Sequence, residues 1–281
     1  MYKGQCLCGS VSWELLAEPY AIYNCHCRMC QKVHGAAFGT YCFVKNDEIR
    51  WTGSTDTVTH YRSSDVLQRS HCGRCGSVVP YPDNDGGFWV APGGCHDKMR
   101  KPDYNIFVVD NSPWHTISGN LPEEDGYPGE SGLPSVAGVA VPQKTEGRVQ
   151  GSCLCGAVKY ELTEDVTVAH NCHCSRCRHG RAAAHATNGF VSSSGVHYLA
   201  GEDKLDSYKV PDAKHFTQVF CRTCGSLMPR LDPSRDISVI PMSSLDNDPG
   251  IKPKDHIYVG SKCDWHDITD GLPQFQEGPE S

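Results

Sequence analysis

Short runs of alternating apolar and polar residues dominate the chain. "SVSWELL" (10–16), "FGTYCFV" (38–44), "GFWVAP" (87–92) and "NIFVV" (105–109) are followed by "AVKYEL" (157–162), "HATNGFV" (185–191), "DISVIPM" (236–242) and "HIYVG" (256–260). Runs this short, bounded by Gly, Pro, Asp or Asn, predict β-strands with one face against a core. Only "RMCQKVHGAA" (28–37) and "SRCRHGRAAA" (175–184) suit even a short helix. The pattern predicts a mainly β protein built from antiparallel sheets.

The same order of elements occurs twice. A shift of 147 residues places Cys6, Cys8 and Gly9 on Cys153, Cys155 and Gly156, and Cys25, Cys27 and Cys30 on Cys172, Cys174 and Cys177. After a two-residue slip Cys72 and Cys75 meet Cys221 and Cys224, and two residues more bring "WHTISGNLP" (114–122) onto "WHDITDGLP" (265–273). Two tandem domains are expected, at 1–124 and 148–281, joined by a Gly- and Pro-rich linker over 125–147 in which "VAGVAV" suits a short strand. Trp114 and Trp265 are expected in the core or in a lid.

Composition narrows the chemistry. The formal charge of −7 is spread without long single-sign runs, which argues against a nucleic-acid surface and favours a small-molecule partner. There is no basic-then-apolar leader pattern at the start, and no apolar stretch reaches the ~18 residues needed to cross a bilayer. A soluble, cytoplasmic protein without a membrane partner is therefore expected. In a reducing compartment 17 cysteines, an odd number in tight spacings, argue for bound metal over disulfides.

Fourteen of those cysteines belong to the repeat, and Cys42, Cys95 and Cys263 are left as buried small residues or surface thiols. The outer pairs, Cys6/Cys8 with Cys72/Cys75 and Cys153/Cys155 with Cys221/Cys224, can each surround a tetrahedral zinc with four thiolates, a closed structural site. The inner clusters offer three thiolates each. Spacing alone leaves two arrangements open: a fourth position free for a substrate, or a site closed by His26 or His173 or by another pairing. Alternation along an extended chain turns both histidines away from the flanking cysteines, toward supporting or surface roles. A zinc on three thiolates carries about one negative charge, which suits it to hold an incoming thiol as thiolate.

The order Cys-x-Cys-Gly, Cys-His-Cys-x-x-Cys and Cys-x-x-Cys-Gly, with a closing Trp and Leu-Pro, resembles the glutathione-dependent formaldehyde-activating enzymes and the centromere protein V group, over about 120 residues of each half. The resemblance implies two Mss4-like zinc-binding β domains and up to four zinc ions per chain. Structural zinc would sit on Cys6, Cys8, Cys72 and Cys75 and on Cys153, Cys155, Cys221 and Cys224. Reactive zinc would sit on Cys25, Cys27 and Cys30 and on Cys172, Cys174 and Cys177. Glutathione is implied as co-substrate, and the activity as that of a carbon–sulfur lyase or transferase acting on a glutathione adduct of an aldehyde or related electrophile, a detoxification type of chemistry. The alternative is a zinc-stabilised protein-binding module without turnover.

Residues beside the inner clusters complete the expectation. Arg28, Lys32, Arg176, Arg178 and Arg181 are candidates for the glutathione carboxylates, which guanidinium groups match in geometry, against the alternative of a solvated charged face. His34 is a candidate acid or base, given a free pKa of about 6.5, or a packing residue. The halves differ here: Arg181 and Ala182 stand where His34 and Gly35 stand, which predicts unequal sites.

Overall fold

A computed structural model describes residues 1–65, 67–83, 87–129 and 142–278. The first half runs β1 (Tyr2–Gln5), β2 (Ser12–Leu15), β3 (Ala21–Cys25), α1 (Arg28–His34), β4 (Gly39–Lys45), β5 (Ile49–Trp51), β6 (Val58–Ser64), β7 (Leu67–Cys72), β8 (Val78–Val79), β9 (Tyr81–Pro82), β10 (Phe88–Pro92), β11 (Tyr104–Ile106) and β12 (Glu123–Glu124). The second runs β13 (Gln150–Ser152), β14 (Lys159–Leu162), β15 (Val168–Cys172), α2 (Ser175–Arg181), β16 (Ala186–Val191), β17 (Val196–Ala200), β18 (Leu205–Lys209), β19 (Thr217–Cys221), β20 (Arg230–Asp232), β21 (Ile237–Pro241) and β22 (His256–Ile257). The predicted mainly β, antiparallel character holds in both.

The central sheets, β12-β11-β3-β4-β10-β9 and β20-β21-β16-β15-β22, repeat each other in register. Asn24 faces Thr40, and Asn171 faces Thr187; in each case the threonine hydroxyl donates to the asparagine, at 2.7 and 2.8 Å. Beside β3 and β15, the strands β11 and β22 are parallel additions. They are shorter than "NIFVV" and "HIYVG" suggest because Phe107 (φ 56°) and Tyr258 (φ 58°) turn left-handed and stop the ladder.

The halves meet reciprocally. From α1, Arg28 donates to the carbonyl of Leu245 at 2.8 Å and Lys32 pairs with Asp246 at 2.6 Å; from α2, Arg178 pairs with Asp97 at 2.7 Å. Asp97 and Asp246 are repeat-equivalent, so each helix grips the same loop of the opposite half, as in a two-fold interface. Gly94 is required at this seam, because a Cβ there would lie 2.0 Å from the backbone nitrogen of Ala183. Trp114 packs into the second half's core, and Trp265 donates its indole N–H to the carbonyl of His96 at 2.9 Å, so both are core residues.

Part of the expected linker packs on the domains: Tyr127 lies against Phe107, and the carbonyl of Gln143 accepts from the N–H of Asp248. "VAGVAV" lies outside the described residues.

Candidate functional site

Four cysteine groups converge, with the sulfurs of each within 4.8 Å of one another: Cys6, Cys8, Cys72 and Cys75; Cys153, Cys155, Cys221 and Cys224; Cys25, Cys27 and Cys30; and Cys172, Cys174 and Cys177. A sulfur tetrahedron around zinc, with bonds of about 2.3 Å, has edges of roughly 3.8 Å. The outer groups come close to this: Cys6 to Cys8 is 3.5 Å, Cys8 to Cys72 3.8 Å, Cys153 to Cys155 3.4 Å and Cys155 to Cys221 3.8 Å. Four-thiolate sets of this size fit zinc. Gly76 and Gly225, at φ 76° and 73°, make the left-handed turn behind each Cys-x-x-Cys.

Each inner cluster sits where a central strand gives way to a helix. Cys27 and Cys174 cap α1 and α2, their sulfurs accepting the backbone N–H of Cys30 and Cys177 at 3.5 and 3.4 Å. One sulfur in each is driven toward the thiolate. In the first cluster it is Cys30, lowered by hydrogen bonds with Cys25 and Cys27 and further by Arg69; in the second it is Cys174, lowered to about 3 by hydrogen bonds with Cys172 and Cys177.

Around the first inner cluster the described side chains pack closely. Arg69 donates to the Cys30 sulfur at 3.4 Å and to the Tyr41 hydroxyl at 2.9 Å, and that hydroxyl also lies 3.5 Å from the sulfur. Burial alone would lower Arg69, but the Cys30 thiolate holds it well above its usual value. Tyr81 packs on Tyr41, and Tyr127 lies on Phe107 close enough for Cys25 and Cys30 to raise its phenol, after burial.

The second inner cluster opens instead onto a cavity of about 450 Å³. The repeat puts Arg181 where His34 stands, Asn188 for Tyr41, Gln218 for Arg69, Arg230 for Tyr81 and Gly278 for Tyr127. Gln218 is drawn away, donating to the carbonyls of Cys75 and Gly180 at 2.6 and 2.9 Å. Cys174 stays partly exposed. Arg176, Arg181, Lys214 and Arg230 line the cavity, and Phe190, Ile237, Val239 and Ile257 form its apolar side. Arg181 donates to Asn188 at 3.1 Å while its second terminal nitrogen is buried without a protein partner.

Several expected contacts are corrected by these positions. Arg28, Lys32 and Arg178 are buried in the seam with Leu245, Asp246 and Asp97 as partners, and none of the three lines the cavity beside the second cluster. His34 is fully buried between the Tyr41 hydroxyl (2.6 Å) and the carbonyl of Arg181 (2.7 Å); burial lowers it to about 4, which favours the neutral ring and the packing alternative. Arg176 and Arg181 alone of the five line the cavity. His26 and His173 are buried, hydrogen-bonded to Asn105 and His256 respectively, which fits the supporting role and not the surface one. Cys42, Cys95 and Cys263 are buried, which raises Cys42 and Cys263 to about 12.

Sequence reasoning missed Arg230, Tyr127 and Arg69, and a second cavity of about 350 Å³ at the seam. His26, His115, His185, His256 and His266 line it, and the two segments that begin with Trp-His meet through Ser118 and Thr269 at 2.6 Å. The doubled Trp-His was its one sequence signal. Among the described residues no three imidazoles bring donor atoms within 4.8 Å of one another.

A family model described as glutathione-dependent formaldehyde-activating enzyme matches residues 1–110 and 148–261. The chain belongs to this family. It is 29% identical over 130 residues, covering 43% of itself and 80% of the relative, to a Halomonas elongata protein provisionally named a glutathione-dependent formaldehyde-activating enzyme. An uncharacterized lyase of Schizosaccharomyces pombe is 24% identical over 85 residues, 30% of this chain and 60% of that protein. A crystal structure of a Rhodobacter sphaeroides protein aligns over 45% of this chain and 98% of its own, at 25% identity and a TM-score of 0.28. No helix among the described residues is long and apolar enough to cross a membrane.

Proposed function

We propose that this member of the glutathione-dependent formaldehyde-activating family is a carbon–sulfur lyase or transferase acting on a glutathione adduct, and that Cys172, Cys174 and Cys177 form its reactive centre. The observation that carries the reading is the asymmetry of the inner clusters: one is enclosed by Tyr41, Arg69 and Tyr127, the other faces a cavity lined by arginines. The outer cysteine groups and Cys25, Cys27 and Cys30 then hold structural zinc. When bound, zinc on the three open thiolates supplies a position where a substrate sulfur is held as thiolate.

The chain's own residues bind and orient. Arg176 at the rim and Arg230 across the cavity are placed to take the carboxylates of glutathione, and the unpartnered Arg181 nitrogen beside Cys177 offsets negative charge at the cluster. The apolar wall excludes water from the sulfur, which strengthens those interactions and fixes the reacting groups together.

Zinc content and zinc K-edge absorption of the full chain, with and without glutathione, test the reading. About four zinc per chain is expected, with sulfur coordination rising on glutathione addition in the wild type and not in Cys174→Ser. Zinc coordination indifferent to glutathione in the wild type would favour a zinc-stabilised binding module instead.

A further inference from the structure

The cavity beside the second inner cluster is mismatched to a one-carbon adduct. A hydroxymethyl group needs little more than the volume of a water, roughly 30 Å³. The cavity holds about 450 Å³, which glutathione itself would share, and Phe190, Ile237, Val239, Ile257 and Phe216 line it as an apolar wall. Glutathione is a chain of amides and charged ends; laying it against that wall would strip its polar groups of partners, at a cost of ~1–3 kcal/mol each. Its charged ends fit the arginine rim. The apolar wall is left for whatever the sulfur carries.

The first half shows what such a space accepts. There rings stand at the equivalent positions: Phe88 packs on Phe43 at 5.6 Å, Tyr81 on Tyr41 at 6.4 Å and Tyr127 edge-on to Phe107 at 5.1 Å. In the second half Phe43 and its partner Val90 are kept in kind as Phe190 and Val239, paired in the same register. The rings above them are gone: Phe88 becomes Ile237, Tyr81 becomes Arg230 and Tyr127 becomes Gly278. Tyr258, the counterpart of Phe107, is left 40% exposed with no ring packed on it among the described residues, whereas Phe107 is 6% exposed.

Resting on the thiol-binding reading above, we propose that the second-half site selects glutathione conjugates whose sulfur carries a ring-sized apolar group, seated where Phe88 and Tyr127 sit in the first half. The ligand class then extends beyond a one-carbon adduct to glutathione thioethers that carry aromatic or similarly bulky apolar groups.

The test is calorimetric titration of the zinc-loaded full chain with glutathione, S-methylglutathione and S-benzylglutathione. Burial of a phenyl ring predicts S-benzylglutathione to bind at least about tenfold tighter than S-methylglutathione. Two variants copy the first half's filling, Ile237→Phe and Gly278→Tyr, and both should collapse that ratio toward one. If glutathione and S-methylglutathione bind but the benzyl conjugate is no tighter, or if the ratio survives both variants, the substrate inference is overturned while the thiol site stands. If none of the three binds, the thiol reading itself falls and this inference with it.

Discussion

The two inner cysteine clusters share a strand, a helix cap and a register, yet they end in different surroundings. Around Cys25, Cys27 and Cys30 the chain supplies a cation, a phenol and a roof; around Cys172, Cys174 and Cys177 it supplies an entrance. What separates them is a handful of side chains that a repeat alignment pairs one to one. The comparison teaches that a ligand set defines what can be bound, while the neighbours decide whether anything can arrive.

The sharpest break is at the ligands. Cys174→Ser should lower turnover by about 10³-fold or more with little change in melting temperature, because it removes a group that acts on the substrate. Cys27→Ser should do the reverse, lowering the melting temperature strongly while the folded fraction keeps its kcat, since the enclosed site contributes to folding. Equal loss of activity in both would erase the assigned asymmetry. Next in size is Arg69→Gln, which gives the first half the residue of the second. Leaving the Cys30 thiolate without its buried partner should cost about 3–5 kcal/mol in urea unfolding and leave KM unchanged.

A smaller effect is expected at Arg181. Its replacement by Ala should raise KM for a glutathione adduct roughly tenfold, in line with about 1.5–3 kcal/mol for a charged hydrogen bond, and the matching change His34→Ala should leave KM alone. The least effect concerns the helix ends. Gly35 closes α1 at φ 61°, whereas Ala182 closes α2 at φ 52°, where a Cβ costs ~1–2 kcal/mol. Ala182→Gly should raise the urea midpoint by an amount equivalent to about 0.5–1 kcal/mol, after the added flexibility of the unfolded chain is subtracted.

Much of this was legible in the residue pattern. Alternation marked the strands, and cysteine spacing alone marked all four clusters, because ligands delivered from one turn must be neighbours in sequence. The unequal halves were visible as Arg181 and Ala182. What could not be read was partnership across distance. Arg28, Lys32 and Arg178 look like a carboxylate grip beside the clusters, but their partners Leu245, Asp246 and Asp97 lie in the opposite half, and only the fold brings them near. Tyr127 sits in a stretch composed like a linker, and its role as a roof follows from the pairing of Glu123 and Glu124 with β11. The left-handed turns at Phe107 and Tyr258 carry no glycine to announce them.

The reciprocal grip of α1 and α2 has a consequence for how such a protein can change. Two separate identical chains meeting through the same contacts would carry every substitution twice, so opening one pocket would also strip the other of its tyrosines and its packing. Joined end to end, the copies are released from that symmetry. One can remain a keel, with Tyr81 and Tyr127 in place, while the other explores new cargo through Arg230 and Gly278.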